Sequence, residues 1–238
     1  MPEWWFYYWF GTVNLTDATL DTQGKTLLSD YQNYTNGVPV DPNVISFTFR
    51  LKSQVNTTNA TGSYQILGGV PSYEAVLANS TNFAAATWQP YDGNISLTLG
   101  PTDGVYQVWL GLKGFAAAAT PTWNGTEVTL NRNVPQITIT SPATNVVAQP
   151  WLQLQGCSAL PLAGVTFDIS NSVAVLTNQL GNIIAHTVDT NTSSYTTDYF
   201  QCFDIRLASG TNAITLHATD PAGNSTNIAL NSDWITVA

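Results

Sequence analysis

The chain has 238 residues, of which 44% are hydrophobic and only 9% are charged, and its six basic and fifteen acidic residues give a formal net charge of −9. The apolar content excludes a disordered chain, and the lack of a basic cluster excludes a phosphate-binding surface for nucleic acid. No apolar run reaches the roughly 18 residues that a membrane-spanning helix needs, and the acidic balance argues against docking on an anionic membrane.

Residues 1–42 differ in composition from the rest of the chain. They open with an unbroken aromatic run that consists of Trp4, Trp5, Phe6, Tyr7, Tyr8, Trp9 and Phe10. A free surface does not tolerate apolar side chains at this density, so the run has to be buried. It either packs as a short helix or strand against the module that follows, or it docks on another chain. The second alternative makes the run a candidate assembly element through which the protein self-associates.

The aromatic run is followed by a stretch with the spacing of a degenerate calcium loop. Calcium loops place carboxylates at alternate positions, whereas here Asp21 is followed by Gln23 and Lys25. Gln32 stands where a bidentate Glu would close the shell. The segment resembles the Trp-rich helix ending in Phe-Gly that precedes a thrombospondin type 3 or dockerin calcium loop in large bacterial surface proteins. Since Asp21 alone remains as a candidate ligand, we predict no bound metal and no cofactor.

The pattern of residues 43–133 predicts a first β-sandwich module. Short apolar stretches separated by Gly turns are the predicted strands: Val44–Leu51, Tyr64–Leu67, Tyr73–Leu77, Ala84–Trp88, Ile95–Leu99, Val105–Leu112 and Glu127–Leu130. Strands at this spacing are typical of a sandwich. In the stretch Val105–Leu112, strict alternation gives one uniformly apolar face, which we expect to face the core. That face consists of Tyr106, Val108, Leu110 and Leu112.

The end of this module recurs 108 residues later in the chain. Leu97, Leu99, Gly104, Tyr106, Val108 and Leu110 correspond to Ile205, Leu207, Asn212, Ile214, Leu216 and Ala218. Each copy is a strand, a Gly-containing turn and a second strand with alternating apolar positions. A repeated hairpin at domain-sized spacing predicts two similar modules in tandem.

Residues 134–238 are predicted to form the second module. It opens with an alternating strand between Pro135 and Pro142, an arrangement typical of an edge strand. Its other predicted strands are Trp151–Leu154, Val165–Ile169, Ile183–Val188, Tyr199–Leu207, Ala213–Thr219 and either Ile228–Leu230 or Trp234–Val237.

The most specific motif of the chain is the turn that contains Asp220, Gly223 and Asn224. Gly223 permits a positive φ, and the side chains of Asp220 and Asn224 can cap the turn with hydrogen bonds. The stretch Leu207–Asn224 resembles the last hairpin of bacterial immunoglobulin-like domains. The resemblance covers the whole second module. It implies an all-β chain of two tandem immunoglobulin-like sandwiches that belongs to a large secreted or cell-surface protein.

The two cysteines, Cys157 and Cys202, fall in the second module. We predict a disulfide between them, which would stabilise the fold by about 4 kcal/mol and would imply an oxidising compartment. The alternative is two buried free thiols, because cysteine is often a small core residue.

Glycosylation sequons support an extracellular or cell-surface location. They occur at Asn14, Asn33, Asn56, Asn59, Asn79, Asn94, Asn124, Asn191 and Asn224. The N-terminus lacks the pattern of a signal peptide. We therefore expect an excerpt of a longer exported protein, or a chain whose targeting segment has been removed.

The sequence has no motif of a catalytic centre, and we predict that the protein is not an enzyme. His186 and His217 lie in strands without a second His or a Cys nearby, which disfavours a zinc site. Three Asp residues precede Gly or Pro and are interpreted as turn residues: Asp92, Asp103 and Asp220. Three others lie in or near strands, where only the fold decides whether they converge: Asp168, Asp198 and Asp204.

Aromatic residues outside the N-terminal run are candidates for a sugar-stacking platform, although sandwiches also bury Trp in cores and joints. They are Trp88, Tyr91, Trp109, Trp123, Trp151 and Trp234. We predict a non-catalytic extracellular structural or adhesive segment, acting as a stalk or as the subunit of a surface fibre. The alternative is a carbohydrate-binding accessory module of a secreted polysaccharide-active enzyme.

Overall fold

In the computed structural model the chain divides into two compact units, Met1–Leu130 and Asn131–Ala238. The structure describes residues 1–192 and 194–235. Each unit has its own hydrophobic core, one containing Val108 and the other containing Leu216.

Two short helices precede the sandwich of the first unit: α1 (Glu3–Phe10) and α2 (Leu27–Thr35). Helix α1 ends because Gly11 adopts a φ of 69°, and its N–H donates a hydrogen bond to the Tyr7 carbonyl at 2.9 Å. Glycine permits this left-handed geometry without strain. Helix α2 begins after Thr26, whose hydroxyl accepts a hydrogen bond from the Ser29 N–H at 3.3 Å.

The strands of the first unit form two sheets. They are β1 (Ser46–Leu51), β2 (Gln54–Val55), β3 (Asn59–Gly68), β4 (Tyr73–Ala78), β5 (Gln89–Pro90), β6 (Asn94–Thr98), β7 (Gly104–Lys113) and β8 (Thr122–Leu130). One sheet has the order β1-β3-β6 and the other the order β2-β8-β7-β4-β5. The predicted strand Ala84–Trp88 is wrong, because Phe83–Ala85 form a 3₁₀ turn and β5 begins only at Gln89.

A tyrosine corner closes the first sandwich between β6 and β7. The Tyr106 hydroxyl donates a hydrogen bond to the Thr102 carbonyl at 2.6 Å, which fixes the loop to the strand that follows it. A Cβ on Gly100 would lie 2.7 Å from the same hydroxyl oxygen, so the corner requires a glycine there.

The strands of the second unit repeat this arrangement and add one strand. They are β9 (Ile137–Ser141), β10 (Val146–Val147), β11 (Trp151–Ser158), β12 (Gly164–Ser170), β13 (Val175–Leu180), β14 (Asn182–Asp189), β15 (Ser194–Arg206), β16 (Gly210–Thr219) and β17 (Ser225–Trp234). One sheet has the order β14-β15-β11-β9 and the other the order β10-β17-β16-β12-β13. The predicted stretch Ile228–Leu230 lies within β17, and Val237 lies outside the described residues.

The two units share the order of their sheets, with β6 and β7 corresponding to β15 and β16. These strands contain the internal repeat, and its alternating positions from Tyr106 to Leu110 and from Ile214 to Ala218 are buried in both copies. The predicted all-β fold of two immunoglobulin-like sandwiches is therefore confirmed.

A buried asparagine replaces the tyrosine corner in the second unit. The Asn212 Oδ1 accepts the Ala208 N–H at 2.8 Å, and its Nδ2 lies 3.0 Å from the Ala208 and Ser232 carbonyls. The side chain thus satisfies loop groups that would otherwise be buried without partners.

Candidate functional site

The N-terminal aromatic run forms α1, and half of it packs inside the first unit. Trp5, Phe6 and Trp9 are buried against Leu27 of α2 and against two alanines of the β7–β8 loop, Ala116 and Ala119. Their own chain therefore covers these three rings, as in the first of the two predicted alternatives, and self-association through the run stays a prediction. Four further members of the run, Trp4, Tyr7, Tyr8 and Phe10, keep part or most of their surface accessible.

A buried asparagine ties α1 to the sandwich. The Asn43 Oδ1 accepts the Val70 N–H at 2.7 Å, and its Nδ2 donates to the Val70 carbonyl at 3.0 Å and to the Trp9 carbonyl at 3.4 Å. A Cβ on Gly114 would lie 2.7 Å from the Asn43 Nδ2, so only a glycine at position 114 lets the backbone pass this close to Asn43. These contacts make the aromatic helix part of the first unit.

The stretch that resembles a calcium loop is a hydrogen-bonded turn. The Asp21 Oδ1 accepts the N–H of Gln23 at 2.8 Å and of Lys25 at 2.6 Å, and Leu20 pairs with Thr26 across the turn. No group of three or more His, Cys, Asp or Glu able to hold a metal occurs among residues 1–192 and 194–235. One Asp21 oxygen is occupied by the two backbone donors, and the Lys25 charge lies close to the turn.

Asp30 on α2 is a buried carboxyl close to this turn. Its side chain is 1% exposed, and neither oxygen meets an N–H or hydroxyl donor within the described part of the chain. The neighbouring Asp21 carboxylate can accept a hydrogen bond from Asp30 when Asp30 is protonated. Burial, helped by the nearby Asp21 charge, raises the pKa of Asp30 to about 6 against the opposing effect of Lys25. Asp30 is therefore an acid that keeps its proton in mildly acidic solution.

Asp30→Asn is expected to increase the free energy of unfolding at pH 8 by about 3 kcal/mol, because the pKa rises from 3.8 to about 6 and each pKa unit corresponds to about 1.4 kcal/mol. The folded-state pKa lies above the unfolded value of 3.8, so Asp30 lowers stability as the pH rises from about 4 to 6. Urea titrations at several pH values should show this decline in the parent chain and a weaker one in the variant. Asp17→Asn is the exposed control, and equal slopes in the parent and Asp30→Asn would contradict the assignment.

The aromatic residues on the outer face of the β4–β7–β8 sheet pack against one another. The Phe83 ring stacks on Trp123 at 4.5 Å with an interplanar angle of 23°, and the Trp88 ring lies 5.3 Å from Trp123. Trp123 also packs against Gly111, since a Cβ there would lie 2.5 Å from the indole. The Lys113 ammonium sits 4.7 Å above the Trp88 ring.

The remaining sequence candidates for a platform lie elsewhere. Trp109 covers Gly125 and meets Phe83 edge to face, while Tyr91 packs with Tyr64 at 5.7 Å. Trp151 is exposed on β11, and Trp234 packs against the core of the second unit. The aromatic rings therefore do not form one coplanar row, and the rings of the Trp123 cluster are partly exposed.

Glu74 is a carboxyl that sequence reasoning missed. It lies on β4 and lines a cavity of about 340 Å³ with Thr87, Gln89, Ser96 and Thr98. Its Oε2 is buried and has no hydrogen-bond partner in the described chain. Burial and the Asp92 charge raise the pKa of Glu74 to about 7, although the Asp92 backbone N–H opposes the shift.

The Glu74 carboxyl can therefore donate or accept a hydrogen bond at neutral pH. The signal in the sequence was a Glu at an inward-facing position of an alternating strand, two residues before Val76, which packs against the core.

His217 on β16 bridges two neighbouring strands. Its Nδ1 lies 2.8 Å from the Asn227 Oδ1 and its Nε2 lies 3.0 Å from the Asp168 Oδ2. These contacts, with Asn227 contributing most, raise the pKa of His217. The Asn178 N–H and then His217 lower the pKa of Asp168. The group is a partly exposed ion pair between strands.

The other strand carboxylates do not join Asp168. The Asp198 Oδ2 accepts the Leu162 N–H at 2.7 Å, and the Asp204 Oδ1 accepts the Gln153 Nε2–H at 2.6 Å. Both lie on β15, which belongs to the opposite sheet from β12. His186 is exposed on β14, away from His217 on β16. The three aspartates therefore have separate structural roles.

The predicted disulfide between Cys157 and Cys202 is not present, and both cysteines are free. In the pairing of β11 with β15, Cys157 lies opposite Tyr199 and Cys202 lies opposite Leu154. The residue that faces Cys202 is therefore three positions before Cys157 on β11. This offset is about 10 Å along a strand, beyond the reach of a disulfide. Cys202 is packed in the core, whereas Cys157 is partly exposed on the other face of the sheet. Both cysteines are therefore free thiols, which was the alternative to the disulfide.

Reducing agent is expected to leave the urea midpoint of the protein unchanged. Cys157 should react with a disulfide reagent in the native state. Cys202 should react only on unfolding, because burial removes access and raises its pKa to about 11. Thiol titration with and without urea measures both, with Cys157→Ser as the control that removes the fast phase. A loss of stability on reduction would contradict the assignment.

The turn motif of the second unit is a buried clamp on Asn131. The Asp220 Oδ1 accepts the N–H groups of Gly223 at 2.8 Å and of Asn224 at 2.7 Å. The Asn224 Nδ2 donates to the Asp220 Oδ2 and to the Asn131 carbonyl, both at 2.9 Å. The Asn131 Nδ2 donates to the Asp220 Oδ2 at 3.3 Å. The motif thus fastens the first residue of the second unit to that unit.

The same clamp removes one glycosylation candidate. Asn224 is buried, and its amide nitrogen makes the two hydrogen bonds just described, so it cannot bear a sugar in this fold. The Asn124 amide nitrogen is also engaged, donating to the Phe47 carbonyl at 2.8 Å.

Comparison with known proteins gives matches among solved structures only. No protein-family profile matches the chain, and no curated protein matches it. Among solved structures, the chain is similar to the fibronectin(III)-like modules of Clostridium thermocellum CbhA, with 12% identity and a TM-score of 0.49. The likeness covers 80% of this chain and 95% of that one. In the described part of the chain, no helix is both long and apolar enough to cross a membrane.

Proposed function

We propose that the protein is a non-catalytic extracellular structural or adhesive segment, whose tandem immunoglobulin-like modules act as a stalk or as the subunit of a surface fibre. The observation that supports this most directly is the clamp of Asp220 and Asn224 on Asn131. The most specific motif of the sequence serves to hold the chain where the second unit begins. A spacer needs this property, because a load enters each module through its terminal residues.

The use of other buried polar side chains supports the same proposal. Asn43 ties α1 to the first sandwich, Asn212 organises a loop of the second, and Asp198 holds the chain at Leu162. Each satisfies backbone groups of its own unit, which is a structural role. The extracellular part of the proposal relies on the resemblance of the second module to bacterial immunoglobulin-like domains.

The carbohydrate-binding alternative has less support from the geometry. Stacking a pyranose requires an open indole face, whereas Phe83 stacks on Trp123 and the Lys113 ammonium lies over the Trp88 ring. An array of plant and bacterial polysaccharides tests it directly. Binding that is lost in Trp88→Ala but retained in Trp151→Ala would favour the alternative over the structural role.

Single-molecule stretching of the full chain between its termini tests the structural role. We expect two discrete unfolding events, each releasing on the order of 300–450 Å of chain at about 3.6 Å per residue. Asp220→Ala should weaken the event of the second unit and leave that of the first unchanged, whereas Tyr106→Phe should do the reverse. Gradual extension without discrete events would contradict a mechanical role for the two folded units.

A further inference from the structure

The partly exposed ring of His217 lies between oxygen atoms of two neighbouring strands in the second unit. Its Nδ1 is 2.8 Å from the Asn227 Oδ1 on β17, and its Nε2 is 3.0 Å from the Asp168 Oδ2 on β12. Asn227 is the direct cross-strand partner of His217, and Asp168 lies two positions along β12 from the other partner, Thr166. The ring therefore joins three adjacent strands through one direct and one diagonal contact.

Both oxygens beside the ring are hydrogen-bond acceptors. A neutral imidazole has one N–H and can donate to only one of them, whereas the protonated ring has an N–H on each nitrogen and can donate to both. The geometry therefore fits the protonated ring. The contact with Asn227 and then that with Asp168 raise the pKa of His217 above its ordinary value of 6.5, although partial burial opposes the shift.

Loss of the proton changes the two contacts in different ways. The ionised Asp168 carboxylate has no donor to offer, so the remaining N–H of the ring stays on Nε2. Nδ1 then presents a lone pair to the Asn227 Oδ1, and this contact is repulsive unless the Asn227 amide turns its Nδ2 toward the ring. In either case the attraction between two opposite charges is lost.

Asp168 extends the contact to a fourth strand. Its Oδ1 accepts the Asn178 N–H from β13 at 2.8 Å. The pairing of β12 with β13 shifts register at this point, where Asn178 adopts a φ of 53°, and the irregularity frees the N–H for the carboxylate. The Asn178 N–H and then His217 lower the pKa of Asp168, so this carboxylate keeps its charge to a lower pH than an ordinary aspartate.

Asp168 is also the charged group of this sheet that faces His217. The strands β10, β13 and β16 contain no Asp, Glu, Lys or Arg, and β12 contains Asp168 alone. The one charged residue of β17 is Asp233, whose cross-strand partner is Thr211 near the other end of β16. The protonation of His217 is therefore coupled to a single carboxylate.

We propose that His217 is a proton-controlled bridge of the second unit, which joins β13, β12, β16 and β17 in acidic solution and loosens as the ring loses its proton. Because the folded state binds this proton more tightly than the unfolded chain, the stabilisation is present in full below pH 6.5 and is lost as the pH rises through the folded-state pKa of His217. At the acid end it is lost when Asp168 takes up a proton, at a pH below the ordinary 3.8. The inference goes beyond the proposed stalk or fibre role and does not depend on it.

The first test is a pH titration of the full chain by NMR, read on the ring nitrogens of its two histidines. The midpoint of His217 should lie higher in the folded protein than in the urea-unfolded chain, and the neutral ring should keep its proton on Nε2. Asp168→Asn should lower the His217 midpoint and leave the ring signals of His186 unchanged. A folded-state midpoint no higher than the unfolded one, or one that Asp168→Asn does not lower, would overturn the proposal.

The second test is urea unfolding of the second unit at pH 6 and pH 8, read from the amide signals of β16. The equilibrium constant for unfolding of the parent should rise by about two- to fivefold over this range, as for other partly exposed pairs. His217→Gln should remove the rise, whereas the matched control His186→Gln changes an exposed histidine of the same unit and should retain it. A parent without the rise, a rise that survives His217→Gln, or an equal loss in both variants would contradict the bridge.

Discussion

Trp5→Ala is expected to destabilise the first unit by about 3–5 kcal/mol. The Trp5 side chain is fully buried and makes edge contacts with Phe6, Trp9 and Tyr31 at ring distances of 5.9–6.5 Å. Its removal leaves a cavity between α1, α2 and the β7–β8 loop, and the helix loses its main attachment. Urea unfolding followed by circular dichroism measures the effect, and the transition of the second unit serves as an internal reference.

Trp4→Ala is the matched control on the same helix. Trp4 is 54% exposed, and its one ring contact is with Tyr34 at 6.4 Å. We expect a change below about 0.5 kcal/mol, as for other surface substitutions. If Trp5→Ala left stability unchanged and instead dissolved an oligomer, the aromatic run would join copies of the chain, and the packing described for α1 would be wrong.

Asp220→Ala is expected to destabilise the second unit by about 3 kcal/mol, because it leaves several buried donors without an acceptor. The N–H groups of Gly223 and Asn224 lose their partner, and so do the side-chain amides of Asn224 and Asn131. Asp220→Asn retains one acceptor oxygen and should fall between the parent and Asp220→Ala. Chemical denaturation followed by a probe of the second unit measures the series.

Asp189→Ala is the control for the Asp220 series. The Asp189 carboxylate accepts the N–H of Asn191 at 2.8 Å on an exposed turn of the same unit. Its loss should cost less than about 1 kcal/mol. Equal effects of Asp189→Ala and Asp220→Ala would contradict the clamp, since both would then be ordinary turn residues.

The alternation of apolar and polar residues was sufficient to predict most strands. The prediction failed where the sequence has no such alternation. The face of β7 that contains Val108 and Leu110 is buried as predicted, because a period of two assigns side chains to faces without knowledge of the partner strand. β13 was not predicted, because its side chains are largely exposed and its sequence lacks the alternation that burial of one face produces. The three alanines after Phe83 suggested a strand but form a 3₁₀ turn and the chain that leads into β5.

The sequence by itself determined the all-β class, the tandem repeat and the need to bury the aromatic run, because these depend on composition and on periodicity within a few residues. Only the tertiary structure decided what covers Trp5, which is a loop more than 100 residues away at Ala116 and Ala119. It also separated Cys157 from Cys202 by register and face, and it left Glu74 beside a cavity. These features depend on which strands pair and in what register, and that is set by the packing of the whole unit.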